Sequence, residues 1–251
     1  MYKTCPKCGY ERQAQDKAPS EECPSCGLVF SKWIKSLLVD HELEEALEEE
    51  AAEQTWQKGI KTFFFHPHPD MARGDFLMYV VVFFGFLIWG MDFILMDFRT
   101  NAIGQSWLHN VDLIFHEAGH FFFIPFGRYG SILGGSLFQV IVPLFLMLAF
   151  LIRNKDSFAA AICLWWAGQS IMDIAPYIAD ARALRLPLLG GGTGADSLGR
   201  HDWENLLRPI GMLEYDIRIA TVVDYFGAAV VLLALAWAAS MLFIYYRDSN
   251  D

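Results

Sequence analysis

The chain has 251 residues, of which 54% are hydrophobic and 15% aromatic, and its formal net charge is −10. A soluble globular domain rarely carries so much apolar side chain, so a lipid bilayer is expected as partner. No Lys or Arg cluster offsets the negative charge, which excludes phosphate-led binding, and no nucleic-acid partner is expected.

The start, Met1 to Gly9, is polar and lacks the apolar core of a signal peptide. It contains CPKCG, followed later by CPSCG, so Cys5, Cys8, Cys23 and Cys26 form two C-x2-C pairs. Each pair puts two thiolates on one tight turn, with Gly9 and Gly27 where the backbone folds back, and four thiolates satisfy a tetrahedral zinc ion. Residues 1–35 therefore read as a zinc ribbon holding one structural Zn2+. Knuckles of this kind occur in many unrelated proteins and name no activity. The fifth cysteine, Cys163, stands alone in an apolar run, which argues against a disulfide framework. Residues 36–75 read as an acidic helix or linker, since eight acidic residues fall between 40 and 53 with Leu43, Ala46 and Leu47 at helical spacing. His66 and His68, in HPHP, read as a turn before the first span.

Residues 76–251 read as a helical membrane domain. The apolar runs predict about five spans, at 76–96, 111–126, 132–152, 158–179 and 222–246. The fold class expected is thus mainly α, a polytopic helical membrane protein with a small N-terminal zinc ribbon. Five spans put Lys58, Lys61, Arg73, Arg128, Arg182, Arg185, Arg200, Arg208 and Arg218 on one side, and Arg99, Arg153, Lys155 and Arg247 on the other. The positive-inside rule then predicts a cytoplasmic N-terminus, as for a bacterial inner-membrane protein, with 181–221 as a long cytoplasmic loop.

The run at 111–126 reads VDLIFHEAGHFFFIPF, with His116 and His120 one helical turn apart on the same face, as two ligands of a single zinc ion require. Glu117 follows directly, placed to take a proton from water on the metal and return it to a leaving amine. Two histidines and a glutamate in hydrocarbon are tolerated only where they coordinate, pair or line a wet cavity. A catalytic zinc needs a third protein ligand and an open position. In WWAGQSIMDIAPYIADA, Asp173 and Asp180 are seven residues apart, near one face of a helix, with Pro176 between them. His201, in GRHDW, is a further candidate if its loop folds back. Gln139 and Gln169 can hydrogen-bond a substrate strand or each other.

On these motifs the chain resembles the site-2 protease family of intramembrane metalloproteases, whose hallmarks are HExxH in one span and NxxPxxxLDG in a later one. In DIAPYIADA, Asp173 stands where the family has asparagine, Pro176 matches its proline, and Asp180 is nearest to its zinc-binding aspartate. The proline-to-aspartate spacing is one residue short, and Ala181 replaces the glycine. GGSLFQVIVPL, with Gly134, Gly135 and Gln139, is similar to the glycine-rich region that relatives place near the active site. The resemblance implies an intramembrane zinc peptidase that acts on membrane proteins or peptides. It favours Asp180 as third ligand, with Asp173 orienting a histidine, and the opposite assignment stands beside it. From a different class comes a non-catalytic membrane scaffold with a structural metal site and a partner-binding ribbon. A metal-dependent oxidoreductase would need more histidines.

Overall fold

The computed structural model describes residues 3–66, 73–196 and 199–248, so His68 lies outside the described part. Among those residues the structure is helical, with three isolated antiparallel bridges and no strand. The chain divides into two compact units, Met1–Thr62 and Phe63–Asp251.

In the first unit the two C-x2-C pairs build the same knuckle twice. Cys5 N–H donates to the Tyr10 carbonyl at 2.8 Å and Cys23 N–H to the Leu28 carbonyl at 2.9 Å. Gly9 and Gly27 take φ of 72° and 71°, a backbone region that costs glycine nothing. Bridges Thr4–Glu11 and Glu22–Val29 close the two knuckles, and Phe30 packs against Cys5 and Cys23. From there helix α1, Phe30–Phe64, runs for 35 residues and carries the acidic stretch.

The second unit holds α2 (Arg73–Leu95), α3 (Trp107–Phe122), α4 (Gly127–Ala149), α5 (Ser157–Ala179), α6 (Asp202–Leu207) and α7 (Asp216–Asp248). Four stretches are long and apolar enough to cross a membrane: Gly74–Leu95, Ile124–Asn154, Ser157–Ala179 and Leu213–Arg247. On α2 the exposed Leu77, Val81, Phe84, Ile88 and Leu95 recur every three to four residues or twice that, which makes one apolar stripe for lipid. The protein is thus a polytopic helical membrane protein.

The stretch at 111–126 is not among the four. Its apolar residues belong partly to α3, which at 16 residues is about 24 Å long. A separate turn at Ile124–Phe126 containing Pro125 supplies the rest. A helix that short does not cross a hydrocarbon core of about 30 Å.

Helix α5 is the axis of the bundle. Its small residues Ala160, Ala161, Ala167 and Ala175 are buried, and α2, α4 and α7 pack around it. Where α5 meets α7, Gly168 and Gly227 face each other: a methyl on Gly168 would lie 2.8 Å from the Val231 nitrogen and 2.9 Å from the Gly227 carbonyl. Small residues of this kind let membrane helices approach backbone to backbone.

Two clusters fix the directions of these helices. Phe76 and Tyr79 of α2 pack with Phe158 of α5 and Tyr245 of α7, whereas Phe98 packs with Ile174, Ile178 and Ala220 at the other end. Hence α2 and α5 run parallel, α7 antiparallel, and the described residues between α5 and α7 lie at the end where α2 finishes. The arginines that five spans would gather on one side are therefore split: Arg73 lies with Arg153, Lys155 and Arg247 at one end, and Arg99 lies with Arg182, Arg185 and Arg218 at the other. His66 is at the first end, its N–H donating to Ser157 Oγ at 3.0 Å.

Candidate metal centre

Ser106 starts α3 by accepting a hydrogen bond from the His109 N–H at 3.1 Å. From that start the helical repeat carries His116 and His120 onto the face turned to α4. The two helices meet at Gly119 and Gly134, each too close to the other's backbone for a side chain. At the next residue, a methyl on Gly135 would lie 2.6 Å from His116 Nε2 and 2.8 Å from His120 Nε2. Glycine at 135 therefore leaves the space in which both imidazoles stand.

The outer nitrogen of each ring is held. His116 Nδ1 is 2.8 Å from Gln139 Oε1, and the Gln139 amide nitrogen donates to the Ser170 carbonyl at 3.1 Å. Because that amide must turn its N–H to Ser170, its oxygen faces His116, and His116 carries its proton on Nδ1. His120 Nδ1 likewise donates to the Ser131 carbonyl at 2.9 Å. Each Nε2 is thereby turned inward, where it can give its lone pair to a metal ion or, with no metal there, hold a proton against a neighbouring acceptor.

The group that meets them is the carboxylate of Asp202, at the first turn of α6. Asp202 Oδ2 is 3.1 Å from His116 Nε2 and 3.3 Å from His120 Nε2. These three donors form one of two groups among the described residues able to hold a metal ion. These two separations are close to the about 3.3 Å that bonds of about 2.0–2.1 Å at tetrahedral angles leave between ligand atoms. Burial raises the Asp202 pKa, but where protons rather than a metal ion lie between it and the facing His116 and His120 imidazoles, their hydrogen bonds and charge overcome this and hold it at about 2. Asp202 N–H also donates to the Tyr177 hydroxyl at 3.1 Å.

Glu117 is exposed to a cavity of about 440 Å³, lined also by His109, His116, His120, Asp173, Tyr177 and Asp202. Leu186, Pro187, Leu188 and Leu189, from the segment after α5, form another wall of it.

The other expected residues are not part of this donor group, though Asp173 and Gln139 line its cavity. Asp180 is not gathered with the histidines; its oxygens accept from the N–H groups of Arg185 and Leu186, each at 2.9 Å. Asp173 does orient a histidine, but that histidine is His109, whose Nδ1 is 2.9 Å from both its oxygens. His201 is buried, its Nδ1 accepting from the Glu204 N–H at 3.3 Å. Gln139 lines the cavity while its amide grips His116 and α5, and Gln169 is buried in α5. Sequence reasoning passed over Asp202, although it sits next to His201 in GRHDW, and over His109, seven residues before His116 on the same helical face.

The second group able to hold a metal is the ribbon's Cys5, Cys8, Cys23 and Cys26. Cys5 and Cys26 sulfurs are 3.7 Å apart, as are those of Cys8 and Cys23. Metal–sulfur bonds of about 2.3 Å at tetrahedral angles require about 3.8 Å.

No family model, curated protein or solved structure matches the chain.

Proposed function

We propose that the protein is an intramembrane zinc metalloprotease that hydrolyses peptide bonds of membrane-associated substrates. The observation that carries this reading is the convergence of His116 Nε2, His120 Nε2 and Asp202 Oδ2 beside Glu117 in one cavity. Two imidazoles and one carboxylate, with a cavity in place of a fourth protein ligand, are the donor set of a hydrolytic zinc site. The HExxH and proline–aspartate motifs, and their resemblance to site-2 proteases, support it, with Asp202 in the ligand position that the resemblance gave to Asp180.

A zinc ion bound there would polarise a scissile carbonyl and acidify water next to it. The chain's own residues do the rest. Glu117 takes the proton from the attacking water and delivers it to the departing amine. Gln139 and Ser131 hold the imidazoles in the tautomer that leaves Nε2 free. A substrate helix hides its peptide bonds in internal hydrogen bonds, so it must unwind to enter. The cysteine ribbon is assigned the second, structural zinc.

Glu117→Gln tests the reading. A protease variant keeps both zinc ions and loses cleavage of a single-span model peptide in phosphatidylcholine vesicles. Cleavage at the wild-type rate by the variant would remove Glu117 as the base and overturn the mechanism, and none by the wild type would leave a non-catalytic scaffold as the better account.

A further inference from the structure

Asp202 is a ligand without a transmembrane helix beneath it. Helix α6 has six residues, Asp202–Leu207, too few to be stable by hydrogen bonding alone. A metal ligand nevertheless has to be held to within about half an ångström. What holds it begins at the residue before it. His201 is fully buried, and its Nδ1 caps α6 by accepting the Glu204 N–H, a position normally filled by Ser, Thr, Asp or Asn. With Nδ1 accepting, the ring proton is on Nε2, and that buried nitrogen makes no hydrogen bond but faces Asp180 Oδ2 at an ion-pair distance of 3.5 Å. Asp180 follows directly on α5 and also takes the Arg185 and Leu186 N–H groups. The His201 ring lies 4.2 Å from that of Tyr177, also on α5.

We propose that Asp180 and His201 are positioning residues that fasten the start of α6 to the end of α5 and so set the Asp202 carboxylate as the third metal ligand. An asparagine would cap α6 equally well, so the choice of histidine calls for another reason. An imidazole caps the helix with one nitrogen and turns the other, with its proton, to Asp180 at ion-pair distance. The carboxylate that the sequence motif offers as a ligand thus acts one step removed, through the residue beside the real one.

The inference rests on the metal reading of His116, His120 and Asp202, and is independent of peptide cleavage. The test is zinc content of the full-length protein in detergent, with the affinity of the second ion measured by competition with a chromophoric chelator. His201→Asn keeps an N-cap and removes the reach to Asp180; Asp180→Asn keeps the size of the side chain and removes its charge. Each is expected to weaken the second ion about 10- to 100-fold while the ribbon ion stays, as loss of residues that orient ligands does. The double variant is expected to lose no more than the weaker single variant, because both act through one link. His201→Asn with wild-type affinity would reduce His201 to a helix cap and overturn the proposal. Additive losses in the double variant would also overturn it. A wild-type protein that binds only the ribbon ion would instead remove the metal reading itself.

Discussion

His116 Nε2 and Asp202 Oδ2 stand 3.1 Å apart although 86 positions separate them in the chain. Closing so long a loop on one contact costs chain entropy, and two facing lone-pair atoms give nothing back unless a proton or a cation lies between them. The relationship makes the two imidazoles and the loop carboxylate parts of one centre.

Gly135→Ala separates helix stability from the site. Alanine stabilises a helix by up to about 1 kcal/mol relative to glycine, yet its methyl would lie 2.6 Å from His116 Nε2. The variant is expected to fold, with unchanged helical circular dichroism, and to lose the second zinc ion. Retention of that ion at wild-type affinity would mean that the rings do not stand where they are drawn.

Gln139→Leu removes the acceptor for His116 Nδ1 and the donor to Ser170. Without that acceptor the imidazole is free to rotate or to move its proton to Nε2. A loss of about 10- to 100-fold in affinity for the second ion is expected from chelator competition.

Asp173→Asn is expected to spare metal binding. Asp173 is paired with His109, so the variant should keep two zinc ions per chain and show its cost as a lowered midpoint of thermal unfolding. Because His109 is part-exposed, the cost is expected below the about 3–5 kcal/mol of breaking a fully buried pair. Loss of one zinc with Asp173→Asn would return this aspartate to the list of ligands.

The order of the helices can be read with reporters. Four crossings put the residue 73 flank and the C-terminal end of α7 on one side and segment 180–215 on the other. Cysteine labelling at positions 73, 192 and 248 is expected to mark 192 alone on its side. Five crossings would instead group 73 with 192.

Acid should release α6 late. The Asp202 pKa is held at about 2 against its ordinary 3.8, and that of Asp180 is also lowered: burial raises it, and His201 with the Arg185 and Leu186 N–H groups outweighs this. A carboxylate with a depressed pKa contributes stability that is present above its unfolded value and lost as pH falls through the folded one. In metal-stripped protein, pepsin is therefore expected to cut segment 186–200 only as pH falls from 3.8 towards 2. Release already near pH 6.5, the ordinary histidine value, would contradict this assignment.

How much could be read beforehand follows from the range of each pattern. The C-x2-C turns and the HExxH face are local, set by one turn of backbone, and the structure gathers Cys5, Cys8, Cys23 and Cys26 in one group and His116 with His120 in another. Asp202 was hidden because its place depends on the path of a long segment fastened through Asp180 and His201, which no periodicity encodes. The window at 111–126 counted apolar residues and so merged α3 with the Pro125 turn; helix length, not hydropathy, separates them. The split of Arg73 from Arg182 followed from that single reassignment.

The most direct measurement is zinc content of the purified full-length protein beside Asp202→Ala. Two ions per chain in the wild type and one in the variant, with the ribbon cysteines unaltered in both, is the result expected. Two ions in the Asp202→Ala protein, bound as tightly as before, would contradict the centre described.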